Sequence, residues 1–411
     1  MNHRVVITGA GVISPVGNGA EAFFQSLTEG VCGIGPITRF DTEGYKVKVA
    51  AEVKGFDPEA AGIDRAQAKR TDLFAQYAMA AAIQAVADSG IEGAVSPERL
   101  GVYVGSGIGG MQTFVQETEK LLNRGPGRVS PFFVPMMIGN MAAGNIAIRF
   151  NAQGPCLPVV TACATSSHAI GEAFHAIKYG LADAIIAGGA EATIIPLAVA
   201  GFSNMKALSE SEDPNQASLP FDARRGGFVM GEGSGIVVLE EYERAVKRGA
   251  KIYAEVVGYG NTCDAYHITA PQAEGIGAAN AIRLALEEAG YAGEKLYINA
   301  HGTGTPMNDK VETLAIKKAM GEEAARKALI SSTKSMTGHM LGAAGGVEAV
   351  ACAMALKTGV VPPTIHLNQP DPECDLNYVP NQAVKADPEM AISSSLGFGG
   401  HNAVIALRAY N

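Results

Sequence analysis

Short β-branched runs alternate along the chain with longer stretches in which apolar residues return every three or four positions. The runs predict strands over residues 4–8, 100–105, 184–188, 235–240, 252–259, 297–300 and 403–408. The helical spacing predicts helices over 67–90, 164–180, 274–290, 309–320 and 342–357. In the second of these, Ile170, Ala173, Phe174, Ile177 and Leu181 share one face, with Gly180 as the stop. Such alternation argues for layered α/β structure. Residues 30–62 and 121–149 lack a clear period and read as loop-rich insertions, placed on the surface or in an oligomer contact.

Two strand-to-loop junctions recur. "GVYVGSGIGG" (101–110) parallels "LYINAHGTGT" (296–305), each an apolar strand followed by a glycine-punctuated loop. "VVTACATSSHAIGEA" (159–173) parallels "SSTKSMTGHMLGAAGGVEA" (331–349), each a Thr-bearing strand end, a polar turn and a helix of small residues. The repetition predicts two halves of one fold, 1–250 and 251–411, with a shared site where the strand ends converge.

Composition narrows the class. A chain of 411 residues can bury a large core. Fifty of them are glycine, well above the average share of about 7%, which predicts tight turns and close backbone approaches. No apolar run of about 18 residues occurs, and "MNHR" leads straight into "VVITGAG" rather than into a signal peptide. The expectation is a soluble cytoplasmic protein with no membrane partner. Cys32, Cys156, Cys163, Cys263, Cys352 and Cys374 lack metal-ligand spacing, so free thiols and no structural zinc are expected. The net charge of -9 disfavours nucleic acid. "GAGVIS" lacks the third glycine of a dinucleotide fingerprint and no phosphate-loop sequence is present, which argues against NAD or ATP.

Chemistry concentrates in three segments. Cys163 stands where an apolar run turns into a helix, and free N–H groups at a helix start favour a thiolate. On this segment alone, a small buried residue and a nucleophile both remain open. "NAHGTGTP" sets His301 at a strand end, and "STKSMTGHMLGAAGG" sets His339 before a glycine-rich helix, with Lys334 upstream. Two histidines in glycine-framed loops strengthen the nucleophile reading. His168, Glu172 and His175 have helical spacing, but no companion helix of ligands accompanies them, so they read as a satisfied helix face.

Taken together, "TACATSS", "AHGTGTP", "SSTKSMTGHMLGAAG", "SLGFGGHNA", "PFDARRGGFVMGEGSG" and "GYGNTCDAYHITAP" resemble the β-ketoacyl-(acyl-carrier-protein) synthases of the elongating type II. The resemblance spans the chain and implies a thiolase-like duplicated α/β/α/β/α layered fold of two pseudo-symmetric halves. It implies Cys163 as the acyl-accepting nucleophile, His301 and His339 as donors to an enolate oxygen, and Lys334 as the residue that shapes their field. Backbone N–H groups of Cys163 and Phe398 are implied as an oxyanion hole, with Phe398 as gate. Ile108, Phe202 and Met205 match the acyl channel, and Thr303 and Thr305 match contacts to the pantetheine arm. Arg65, Lys69, Arg70 and Lys206 offer a local basic cluster for an acidic carrier protein, with Arg65 and Lys69 one helical turn apart. Asn299 and Glu348 match a monovalent-cation position in some relatives, although Ser394 replaces a common asparagine and Leu396 a common phenylalanine. The resemblance implies a homodimer that needs no cofactor of its own, because phosphopantetheine arrives on the carrier. A polyketide-type ketosynthase shares every segment, and a non-catalytic chain-length partner subunit is the remaining alternative. A thiolase or an initiating synthase would carry Cys-His-Asn instead.

Overall fold

The β-branched runs pair edge to edge into one mixed sheet. The structure, a computed structural model, describes residues 2–410; Met1 and Asn411, which end the two expected halves, lie outside the described residues. The main strands are β1 (Val5–Ser14), β2 (Leu100–Gly105), β3 (Cys156–Leu157), β4 (Ala184–Glu191), β5 (Gly233–Glu241), β6 (Ala254–Cys263), β7 (Leu296–Asn299), β8 (Leu329–Ser331), β9 (Met390–Gly397) and β10 (His401–Ala409). Their order across the sheet is β8-β7-β9-β10-β6-β1-β5-β4-β2-β3. Read outward from the β6–β1 contact, the two directions are the same pattern. β2 and β7 hold equivalent places, as do β3 and β8, and in each half the two outermost pairings are parallel while the inner ones are antiparallel.

The principal helices are α1 (Leu73–Ser89), α2 (Met111–Arg124), α3 (Thr165–Lys178), α4 (Pro196–Asn204), α5 (Ile276–Ala289), α6 (Asn308–Met320) and α7 (Ala344–Thr358). α3 and α7 contact each other and strands of both halves, so they form the inner layer, while α1 covers β1 and α5 covers β6 from outside. Apolar residues surround α7 on all sides because it is wrapped by protein; Leu341–Thr358 is long and apolar enough to span a bilayer, but 89% of it is buried.

Two glycine pairs show why the halves match. A Cβ on Gly11 of β1 would lie 1.9 Å from the Ala81 carbonyl oxygen of α1, and one on Gly260 of β6 would lie 1.9 Å from that of Ala281 in α5. Gly9 and Gly258 meet Ala85 and Ala285 in the same way. Glycine on the strand and alanine on the helix let the layers touch backbone to backbone.

Several expected boundaries shift. The single helix expected over 67–90 is broken into Arg65–Ala68 and α1, because Asp64 caps the first and the buried Asp72 carboxylate caps the second. Asp72 also accepts from Thr113 N–H and Oγ1, pinning the break to α2. The region 121–149, expected to be loop-rich, holds the end of α2 and the helices Phe133–Met137 and Met141–Phe150. Exposed apolar side chains at Leu122, Val134 and Ile148 blur their period. The helix expected to open at 342 begins as a 3₁₀ turn, Leu341–Ala343, before α7.

Candidate active site

Five turns at strand and helix ends meet around one cavity of about 610 Å³. They are the loop after β2, the 3₁₀ turn Ala162–Ala164 before α3, the loop after β7, the turn before α7, and the β9–β10 hairpin. Ala162 and Leu341 open the two equivalent turns with φ of 50° and 47°, a left-handed conformation costly for non-glycine residues and found at functional turns. Each turn then presents its next residue, Cys163 or Gly342, toward the other half.

Cys163 lines the cavity and is 8% exposed. Its thiol lies where the N–H groups of Phe398 and of Cys163 itself can reach the sulfur. The two N–H groups and the Lys334 charge act to lower the thiol, but burial outweighs them and pushes it up to about 12. In the resting chain it is a neutral thiol, and the helix-start N–H groups act on charge that develops later.

His301 leaves the end of β7, and the N–H groups of His301 and Gly302 donate to the buried Glu312 carboxylate at 2.6 and 2.7 Å. His339 is fixed by its own N–H donating to the Val229 carbonyl at 2.7 Å. The two rings stand 5.3 Å apart and nearly perpendicular. Burial, then the nearby Lys334 ammonium, hold both imidazoles well below their ordinary value, so both are neutral. His301 Nδ1 and both ring nitrogens of His339 are buried without a hydrogen-bond partner in the chain. Such polar atoms are costly unless a substrate completes them.

Lys334 does not line the cavity. Its ammonium is paired with Glu348, and the two side chains are 1% and 2% exposed. Beside this pair, both amide atoms of Asn299, Glu348 Oε2 and Ser393 Oγ are buried and unpartnered. Asn299 and Ser393 are opposite each other on β7 and β9. Neutral and anionic oxygens of this kind fit a monovalent cation. Ser395 Oγ bonds Ser167 of α3 at 2.8 Å, so strand alternation puts Ser393, not Ser394, on the α7 side with Asn299. Ser394 Oγ, on the other face of β9, is likewise buried and unpartnered.

Ile108, Phe202 and Met205 line the cavity, with the Phe202 ring 6.4 Å from that of Phe398. Thr303 and Thr305 also line it, their hydroxyls 3.1 Å apart. Lys206 sits on its rim. Arg65, Lys69 and Arg70 are exposed but do not line it, and the Arg70 guanidinium lies 4.9 Å over the Phe132 ring. His168 bonds Thr161 and Asn261, while His175 bonds Glu288. Three buried residues escaped the sequence reading: Glu191, Glu312 and Arg225. Arg225 reaches Asp371 and the carbonyls of Thr305 and Pro306. A charged residue closing an apolar strand, as in "IIAGGAE", was the available signal for Glu191.

A thiol facing two neutral imidazoles and backbone donors suits carbon–carbon bond formation on thioesters, and on a duplicated thiolase-like fold that is the work of ketosynthases. The families described as "Beta-ketoacyl synthase, N-terminal domain" and "Beta-ketoacyl synthase, C-terminal domain" match residues 2–245 and 253–368, and the chain belongs to the β-ketoacyl synthases. A Synechocystis sp. protein named 3-oxoacyl-[acyl-carrier-protein] synthase 2 is 52% identical over 99% of this chain and 98% of its own. Among solved structures, the ishigamide ketosynthase/chain length factor superposes with a TM-score of 0.93 at 39% identity, covering both chains fully. A type II polyketide ketosynthase in complex with its acyl-carrier protein gives 0.91 at 34%, also over both full chains.

Proposed function

We propose that the protein catalyses the decarboxylative Claisen condensation of malonyl-acyl carrier protein with an acyl group held on Cys163, giving 3-oxoacyl-acyl carrier protein and CO2 in fatty acid elongation. The observation that carries this reading is the convergence of Cys163 with two buried, neutral, unpartnered imidazoles on one cavity.

The Cys163 sulfur attacks the acyl thioester; the new C–S bond forms as the bond to the pantetheine sulfur breaks, and that sulfur leaves with the thiol proton. N–H groups of Cys163 and Phe398 hold the oxyanion of this step. Malonyl thioester then loses CO2, and the electron pair of the broken C–C bond becomes an enolate. His301 and His339 donate N–H bonds to its oxygen, which neutral imidazoles do without first losing a proton. The enolate carbon attacks the acyl carbonyl as its C–S bond to Cys163 breaks, and Cys163 leaves as thiolate and takes a proton from solvent. Lys334 sets the field of this cluster from behind. Phe398 lies between Gly397 and Gly399 and gates the channel lined by Ile108, Phe202 and Met205, while Thr303 and Thr305 hold the pantetheine arm.

Acyl carrier protein docks on Arg65, Lys69, Arg70 and Lys206, brings the only prosthetic group required, and meets a cytoplasmic homodimer. Halves 1–250 and 251–411 divide the work, the first holding the nucleophile and the second both histidines. Asn299, Ser393 and Glu348 hold a monovalent cation that supplies charge behind the histidines. The neighbour of polyketide type favours a second reading, but its 34% identity falls below the 52% of the 3-oxoacyl-[acyl-carrier-protein] synthase 2 relative. Incubation with acyl and malonyl carrier proteins, followed by mass and CO2 release, tests the proposal. Cys163→Ala is expected to abolish acylation and condensation while malonyl decarboxylation persists. Absence of a Cys163 acyl adduct and of product in the wild type would sink it.

A further inference from the structure

Glu191 closes β4 with 0% exposure and lines the cavity beside Cys163. Four donors converge on its carboxylate. Oε1 accepts from Ser106 Oγ at 2.9 Å and Ile108 N–H at 3.3 Å, and Oε2 accepts from Gly107 N–H at 2.9 Å and Gly342 N–H at 3.0 Å. Among the described residues, no lysine or arginine pairs with it. The loop after β2 and the turn after His339 are therefore tied through one side chain, where a Cβ on Gly342 would lie 2.4 Å from Gly107 N.

We propose that Glu191 is a specificity-determining positioning residue: its carboxylate ties the loop bearing Ile108 to the turn following His339, and loosening that tie changes which acyl chains reach Cys163. This rests on the condensing reading, in which the acyl chain runs past Ile108. A carboxylate accepts from all four donors, whereas a protonated carboxyl or a glutamine amide faces at least one donor with another. Burial pushes the Glu191 carboxyl up to about 7 against those donors, so the tie changes near neutral pH. The titratable group facing Glu191 is the Cys163 thiol. The loop 106–108 and the turn 341–343 carry none, and Glu232 on the adjoining strand end is engaged by Arg39 and Tyr77.

The test is the rate of Cys163 acylation by carrier protein loaded with a short or a long saturated acyl chain, from pH 5.5 to 8.5. The long-to-short ratio in the wild type is expected to fall as pH drops through about 7. In Glu191→Gln it is expected to lie roughly tenfold below the wild-type value at high pH, the scale of a lost charge-assisted hydrogen bond, and not to vary with pH. Ser106→Ala, which removes one donor to Glu191 together with the acceptor of the Gly109 N–H, gives a smaller change of the same sign and serves if the glutamine variant does not fold. A ratio that matches the wild type in these variants, or a wild-type ratio that does not vary with pH, overturns the inference while leaving the condensing reading intact. A wild type acylated by neither chain overturns both.

Discussion

Replacing Lys334 with methionine keeps the aliphatic stem and deletes the ammonium; in a buffer whose only cations are bulky organic ones, Glu348 is left as a carboxylate 2% exposed with no counter-charge and one oxygen already unpartnered. Removing one partner of a buried ion pair costs about 3–5 kcal/mol. The cost depends on pH, and its sign follows from Glu348. Burial raises its carboxyl above the ordinary value and Lys334 opposes that rise, so Lys334→Met raises it further. An acid raised in the folded state leaves stability whole below its unfolded value, about 4.3, and loses it as pH climbs through the folded value. The deficit of Lys334→Met is therefore expected to be small at pH 5 and to approach the full range at pH 8. Glu348→Gln added to it removes the titrating group and recovers most of the loss at pH 8. Urea unfolding of the wild type, the two single variants and the double variant at both pH values measures each term. A Lys334→Met deficit under about 1 kcal/mol at pH 8, or one equal at both pH values, refutes the reasoning. The same variant removes a positive charge that depresses both imidazoles, so the acid limb of its condensation profile is expected to move to higher pH.

Three further outcomes follow from the geometry. His301→Ala and His339→Ala each remove a donor from the enolate oxygen and are expected to slow malonyl decarboxylation about 10²–10³-fold, read as CO2 release. Gly11→Ala and Gly260→Ala press a methyl onto carbonyl oxygens 1.9 Å away, and each is expected to cost at least about 1–3 kcal/mol in thermal unfolding, by similar amounts because the contacts are equivalent. Arg65→Glu with Lys69→Glu is expected to raise KM for the carrier several-fold and flatten its salt dependence, with kcat within about twofold; steady-state kinetics at two ionic strengths decides it.

Much of the site was legible along the chain because its parts are local. A glycine-framed histidine, a cysteine at a helix start and a Thr-bearing turn each signal their chemistry within a dozen residues, and the repeated junctions carried the duplicated fold. Strand period named seven of the ten main strands; β3 and β8, two and three residues long, are too short to show one, and in β9 the run of three serines, Ser393 to Ser395, hides the alternation. The glycine–alanine pairs of β1 with α1 and β6 with α5 were a further repeat present in the sequence, visible only once the partners are known.

Tertiary structure decided the rest, for a single reason: charge and desolvation depend on what surrounds a group in space. The sequence determined that a cysteine, two histidines and a lysine stand at turns able to present them. Only the fold decided that the cysteine is buried enough to rest as a neutral thiol, that the lysine is spent on Glu348 behind the site rather than within it, and that Glu191 gathers four donors from two segments distant from it and from each other in the chain. No spacing along the chain encodes those meetings, because residues 106, 191 and 342 are brought together only when the sheet ends and inner helices pack.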